Sequence, residues 1–177
     1  MLRLIMVNLL ALLLATPTLA EQQQPANEGP GEKIINYHRL GPTLATSGEL
    51  APGAAAELKA LGFVTVVDLR AVDEGTAEEA AELAAVGIKY VNLPLGKDWP
   101  TPELINQASM LLDDAQQQPL LLHCVSGNRA AVVWAAYRKM EGVPYEQILQ
   151  EARTIGLKPE REPQLRDQFG HPDELAE

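Results

Sequence analysis

The sequence is poor in cysteine, histidine and positive charge, and each shortage removes a class of function. Cys124 is the sole cysteine in 177 residues, so no internal disulfide can form and a two-cysteine redox mechanism is excluded. The three histidines (His38, His123 and His171) are scattered, and with a single cysteine they make no cluster of zinc ligands. We therefore expect neither a metal nor another cofactor.

Acidic residues outnumber basic ones, with 24 Asp and Glu against 14 Lys and Arg, which gives a formal net charge of −10. No basic stripe is present to release counterions from a nucleic-acid backbone, so we expect no nucleic-acid partner. The overall negative field would also repel anionic substrates, so any attraction for an anion has to be local. A hydrophobic fraction of 46% and the absence of repeats are typical of one globular domain.

The N-terminal residues 1–20 have the pattern of a secretory signal peptide. Arg3 precedes an apolar run that begins at Leu4, and a small-residue cleavage site ends at Ala20. The alternative is an uncleaved anchor, but the run is short for a membrane span. Residues 21–32 are polar and rich in Gln, Pro and Gly, which predicts a disordered linker. We therefore expect a secreted or periplasmic protein, without stable membrane insertion after cleavage.

Strand and helix patterns alternate after the linker, which predicts an α/β fold over residues 33–158 with a mostly parallel sheet of four or five strands flanked by helices. The predicted strands are Leu44–Thr46, Phe63–Leu69, Ile88–Leu95 and the run that follows Pro119 and ends at Cys124. The predicted helices are Pro52–Leu61, Thr76–Val86, one capped by Thr101, one after Arg129 and one from Pro144. Residues 159–177 are predicted to be a loosely docked polar tail.

The pattern around Cys124 predicts a strand, an anion-binding loop and a helix. The pKa of a thiol falls at a helix N-terminus or beside a cation, and this cysteine would have both as neighbours. Tetrahedral anions bind to loop amides and to guanidinium groups. We therefore expect the anion to be bound by Val125, Ser126, Gly127, Asn128 and Arg129, with His123 as a supporting residue. The alternative is a buried structural cysteine at the end of a strand.

The string His123-Cys124, four residues, Arg129 resembles the signature loop of cysteine-dependent phosphatases of the tyrosine and dual-specificity type. Those loops usually place five residues between cysteine and arginine and Ser or Thr after the arginine, where this chain has Ala130. The four-residue spacing and the string Ser-Gly-Asn-Arg are similar to the loops of rhodanese sulfurtransferases.

The stretch from Leu44 to Leu95 resembles the small bacterial phosphatase-like domain associated with beta-lactamase-hydrolase-like proteins. The matching residues are Thr-Ser-Gly-x-Leu, then Leu-Lys-x-Leu-Gly-x-x-Thr-Val-Val-Asp-Leu-Arg, and then Gly-Ile-x-Tyr-x-x-Leu-Pro. The likeness extends over about residues 36–157. It implies the phosphatase fold, with Cys124 as the nucleophile and Arg129 as the residue that stabilises the equatorial oxygens.

Phosphatase chemistry also needs a proton donor for the leaving oxygen. We expect Asp98 in that role because it follows a predicted strand where dual-specificity phosphatases carry their acid, with Glu103 in reserve. A solvated turn residue is the alternative for Asp98. Arg70 ends the Asp-Leu-Arg string and would either contact the anion or form a structural ion pair.

Three hypotheses for the function follow. The first is a monomeric phosphoester hydrolase that forms a phosphocysteine on Cys124 and acts on a phosphorylated substrate. The second is a sulfurtransferase that carries a persulfide on the same residue and needs no general acid. The third is an inactive module that binds an oxyanion, because fold alone does not fix function.

Overall fold

The structure, a computed structural model, describes residues 30–169. The predicted signal peptide, residues 1–20, lies outside these residues, as does most of the predicted linker. Between residues 30 and 169, no helix is both long enough and apolar enough to cross a membrane.

The described chain forms one sheet of five strands, as the alternating pattern predicts. The strands are β1 His38–Arg39, β2 Leu44–Ser47, β3 Thr65–Asp68, β4 Lys89–Asn92 and β5 Leu120–His123. Their order across the sheet is β1-β2-β5-β3-β4, and only the short β1 pairs antiparallel. The strand that leads to the cysteine is therefore the central one, and all four of its residues are buried.

Six α-helices cover the two faces of the sheet. They are α1 Ala54–Ala60, α2 Thr76–Ala85, α3 Pro102–Asp113, α4 Asn128–Met140, α5 Tyr145–Ile155 and α6 Glu162–Phe169, with 3₁₀ turns at Ala115–Gln117 and Pro159–Arg161. Helices α1 and α2 supply Leu58 and Leu83 to the core on one face, and the other four pack on the opposite face. Each leucine side chain buried in these layers contributes about 1.5–3 kcal/mol. The predicted α/β architecture is confirmed.

Two helix boundaries show how local sequence fixes the elements. Thr101 caps α3 by accepting a hydrogen bond from the amide of Leu104 at 3.3 Å, as expected for a Thr-Pro start. The C-terminal stretch differs from the expected loose tail, because residues 162–169 form a helix whose Leu165 is fully buried. An apolar residue every few positions suffices to dock a short helix even when the segment is mostly polar.

The register of the sheet brings the ends of four strands to one level. Ser47 and Asp68 both pair with His123, and Asp68 also pairs with Asn92. Loops that leave these strands therefore meet at the carboxyl edge, where open parallel sheets place their ligand sites. The loop between β5 and α4 starts from the middle of that edge.

Gly127 ends this loop and is the N-cap of α4, with a φ of 89°. A Cβ atom on it would lie 2.3 Å from the carbonyl oxygen of Ile155 and 2.6 Å from Nδ2 of Asn36. The position therefore needs glycine both for its left-handed backbone and for space.

We predict that Gly127→Ala destabilises the fold by about 3 kcal/mol or more, because steric overlap with backbone adds to the cost of positive φ. The matched control is Gly142→Ala, since Gly142 has a φ of 74° and no atom within 4 Å of the added Cβ. It should cost only about 1 kcal/mol. Urea unfolding of both variants checks this, and equal losses would show that the contact with α5 relaxes freely.

Candidate active site

Cys124 comes directly after β5 and lies at the base of the loop, with 1% of its surface exposed. The loop continues through Val125, Ser126 and Gly127 into the first turn of α4, which carries Arg129. The structure thus places Cys124, the predicted loop and Arg129 in one short strand-loop-helix unit.

The carbonyl groups of the loop are held away from its concave side by two distant segments. The amide of Glu49 donates to the carbonyl of Val125 at 2.9 Å. The side-chain amide of Asn36 donates to the carbonyl of Ser126 at 3.1 Å and to that of Ile155 at 2.8 Å. Because a peptide unit is planar, fixing a carbonyl outward turns the amide of the next residue the opposite way.

The amides of the loop have no acceptor within the part of the chain that the structure describes. Across residues 30–169, the six consecutive backbone N–H groups from Val125 to Ala130 donate no hydrogen bond to another described group. The first regular bond runs from Ala131 to Gly127 at 2.8 Å. A row of such donors at a helix N-terminus is suited to an oxyanion.

Arg129 is bound end-on by a carboxylate that the sequence interpretation did not include. Its Nη1 and Nη2 donate to Glu74 at 2.7 and 2.8 Å, and Nη1 also donates to the carbonyl of Leu95 at 3.4 Å. The hydrogen bonds that Arg129 donates to Glu74 raise its pKa, burial opposes this, and the influence of Cys124 adds to it.

A count of hydrogens shows that this pairing leaves Arg129 able to bind an anion. A guanidinium carries five N–H groups, and Glu74 and Leu95 together take three of those of Arg129. The remaining two, on Nε and Nη2, lie on one edge of the plane and point the same way. That edge forms a complete fork for a bidentate oxyanion.

Glu74 is fixed by its own neighbours. Its Oε2 accepts from the amide of Ala71 at 2.6 Å, and its carbonyl accepts from Nη1 of Arg70 at 3.4 Å. The bonds with Arg129 are the main reason that the pKa of Glu74 falls to about 2 from its ordinary value of 4.5. This carboxylate is therefore charged at any physiological pH.

A network of buried charges lies beneath the loop. Arg70 donates from Nε and Nη2 to Asp68 at 2.8–3.0 Å and from Nη2 to Glu79 at 2.6 Å. Nε2 of His123 lies 2.9 Å from Glu79 and 3.6 Å from Asp68, without the alignment of a hydrogen bond. Burial alone would raise the pKa of Asp68, but the bonds from Arg70 and the charge of His123 hold it below its ordinary value. Arg70 and His123 thus belong to one buried network of charges, and their predicted supporting role stays a prediction.

The same cluster contains three atoms with metal-ligand character. One atom each of Asp68, Glu79 and His123 lies within 4.8 Å of the others. Arg70 already bonds to both carboxylates and supplies the positive charge that a cation would bring. We therefore interpret the cluster as an ion-pair network and assign no metal to it.

Asp98 lies on the loop between β4 and α3, and its side chain makes no hydrogen bond to Cys124 or Arg129 within residues 30–169. Arg161 donates to the backbone carbonyls of Lys97 and Asp98 and so braces this loop. Glu103, the reserve candidate, is exposed in the first turn of α3. The assignment of a general acid stays a prediction.

Sequence reasoning missed Asn36, Glu74 and Glu79. Asn36 lies 90 residues before the carbonyl of Ser126 that it binds, so no local pattern indicates the contact. Asn36 also has a positive φ of 48°, which is uncommon for a residue other than glycine. Glu74 comes shortly after the Asp-Leu-Arg string, at the carboxyl edge of the sheet. This position was the one feature of the sequence that could have indicated a role for Glu74 in the site.

Comparisons with solved structures show that the fold is shared with other proteins. A protein of Neisseria meningitidis is 21% identical with a TM-score of 0.66, over 75% of this chain and 98% of that one. TpbA of P. aeruginosa is 25% identical with a TM-score of 0.63, over 80% and 88%. The catalytic core of the PP-IP phosphatase Siw14 of S. cerevisiae is 16% identical with a TM-score of 0.63, over 79% and 88%.

No curated protein sequence matches the chain. Residues 36–140 match the family described as beta-lactamase hydrolase-like protein, phosphatase-like domain, which is more than half of the sequence. The resemblance seen in the sequence is thereby confirmed. The chain belongs to this phosphatase-like family, within the superfamily of cysteine-dependent phosphatases.

Proposed function

We propose that the protein is an exported cysteine-dependent phosphatase that hydrolyses phosphate monoesters through a phosphocysteine. The observation that carries the proposal is the row of six amides that have no acceptor among the described residues, which directly follows Cys124 and includes the amide of Arg129. A phosphoryl group in transfer distributes negative charge over three equatorial oxygens, and such a cradle stabilises that charge.

The reaction has two steps. The thiolate of Cys124 attacks phosphorus and forms an S–P bond while the P–O bond to the leaving group breaks. Asp98 gives its proton to the departing oxygen and then, as a base, takes a proton from the water that attacks the phosphocysteine. The S–P bond breaks with its electron pair returning to sulfur, and inorganic phosphate leaves.

Aryl phosphates of the phosphotyrosine type are the proposed first substrates. A variant of TpbA has been solved in complex with pTyr, and it is 25% identical to this chain. The proposal that the protein is periplasmic or secreted rests on the sequence of residues 1–20 alone. A monomer in solution is proposed with it.

Sulfur transfer is the second candidate, favoured by the four-residue spacer between Cys124 and Arg129. The persulfide is smaller than a phosphoryl group, and a shorter loop suits it. Cys124 would take sulfane sulfur from thiosulfate, release sulfite and pass the sulfur to cyanide as thiocyanate.

We predict that the full chain hydrolyses p-nitrophenyl phosphate and that Cys124→Ser abolishes this, because the hydroxyl is a far weaker nucleophile. The assay is run in parallel with thiosulfate-to-cyanide transfer. Phosphatase activity that persists in Cys124→Ser contradicts the nucleophile assignment. Cysteine-dependent formation of thiocyanate without phosphate release would establish the sulfurtransferase.

We predict that Asp98→Asn lowers kcat by about 10²-fold with phenyl phosphate and much less with p-nitrophenyl phosphate, whose leaving group needs little protonation. The limb of the kcat profile on which activity falls at high pH should also disappear. Glu103→Gln is the control and should keep both features of the parent enzyme. If Asp98→Asn changed kcat by the same factor for phenyl phosphate and for p-nitrophenyl phosphate, Asp98 would not be the general acid.

We predict that Glu74→Gln lowers kcat/KM by about tenfold, because an amide cannot hold both terminal nitrogens of Arg129 and the fork loses its orientation. The loss should fall mainly on kcat and stay constant above pH 5. Since the pKa of Glu74 lies below its ordinary value, the ion pair is intact above pH 4.5 and is lost only as the pH falls towards 2.

Glu78→Gln is the matched control for charge, since Glu78 is exposed on the next turn and forms no ion pair among the described residues. A gain in kcat/KM for the Glu74 variant would show instead that this carboxylate competes with the substrate.

A further inference from the structure

Arg161 lies on a turn that connects two parts of the candidate site, although the molecule as a whole is acidic. Lys158 donates its backbone amide to Oδ1 of Asn128 in the first turn of α4, at 3.0 Å. Arg161, one turn later, donates to the carbonyls of Lys97 and Asp98. The 3₁₀ turn Pro159–Arg161 therefore lies between the anion loop and the loop that carries Asp98.

Arg161 is a partly buried cation without a matching anion. Within residues 30–169, no carboxylate oxygen lies within 4 Å of its guanidinium, whereas Arg70, Arg129, Arg138 and Arg153 all have such partners. Its Nε is buried and donates to no described group. Desolvation lowers the pKa of Arg161, and the more distant charge of Asp98 only partly opposes this. An external anion would relieve that cost.

Two backbone contacts limit the distance between the guanidinium groups of Arg161 and Arg129. Arg129 touches the carbonyl of Leu95, and Lys97, two residues later, touches Arg161. Two residues extend by about 7 Å, so the two guanidinium groups are at most about 13 Å apart. Each terminal nitrogen of Arg161 also keeps one hydrogen that its backbone acceptors do not use.

We propose that the natural substrate is a small phosphate monoester with a second phosphate, and that Arg161 binds this second group. The inference rests on the proposed function, because it assumes that the reacting phosphate lies against Cys124. Arg161 would give a molecule with a net charge of −10 a local cation for its polyanionic substrate.

The test is calorimetric binding to the full chain carrying Cys124→Ser, which cannot turn over. The ligands are glucose 6-phosphate and glucose 1,6-bisphosphate, which share a ring and differ in one phosphate. We expect the bisphosphate to bind at least tenfold more tightly, which is the usual scale of one charged hydrogen-bonded contact. Arg161→Gln should remove this preference and leave the monophosphate within about twofold.

Arg166→Gln is the matched control, because Arg166 is an exposed arginine on α6 and the change in charge is the same. It should keep the preference. Arg161→Lys retains the charge and should keep part of it, which covers the case in which the Gln variant does not fold. No preference in the parent protein, an equal loss for both ligands in Arg161→Gln, or an equal effect of Arg166→Gln would each overturn the inference.

The outcome is separable from that of the proposed function. A bisphosphate preference that depends on Arg161, in a protein without cysteine-dependent phosphatase activity, leaves the second anion site standing and removes the enzyme. Hydrolysis that depends on Cys124, in a protein that does not prefer the bisphosphate, would support the enzyme and remove the second anion site.

Discussion

The outward anchoring of two loop carbonyls is the constraint on which the site depends. Asn36 binds the carbonyl of Ser126 and the amide of Glu49 binds that of Val125, and both donors come from the N-terminal segment around β2. Anchoring these two carbonyls turns the amides of Ser126 and Gly127 the opposite way. The segments on both sides of the first parallel strand are thus a structural part of the site, although they carry no chemistry of their own.

Burial alone would not distinguish a nucleophile from an inert cysteine. Cys124 is 1% exposed, as a structural thiol would be. The difference lies in what surrounds it. Four of the open amides, from Gly127 to Ala130, belong to any helix N-terminus, but here Val125 and Ser126 extend the row and a guanidinium lies near the thiol. Orphaned donors in a row are costly to keep, and a ligand that accepts from them offsets that cost.

Periodic features of the sequence predicted the fold well. Buried runs predicted the central strands, and the Thr-Pro pair predicted the start of α3. The cysteine, the loop and Arg129 were found because they are adjacent in the chain. Glu74 and Asn36 were not found in the sequence. They lie 55 and 90 residues before the groups that they contact, and only the folded sheet brings them to the loop. The helix of residues 162–169 was missed because a single buried leucine anchors a polar segment.

The short loop has a consequence for how the arginine is held. With four residues after Cys124, Arg129 falls within the first turn of α4, so its backbone is fixed by the helix and its own amide belongs to the donor row. A side chain that starts from the helix has less freedom to reach around the anion than one that starts from a loop. Glu74 and the carbonyl of Leu95, on neighbouring loops, fix the orientation of the Arg129 guanidinium. They bind its terminal nitrogens and leave the edge formed by Nε and Nη2 to an oxyanion. The pairing with Glu74 is therefore compatible with catalysis, because the fork formed by Nε and Nη2 has no acceptor among the described residues and stays available to an oxyanion.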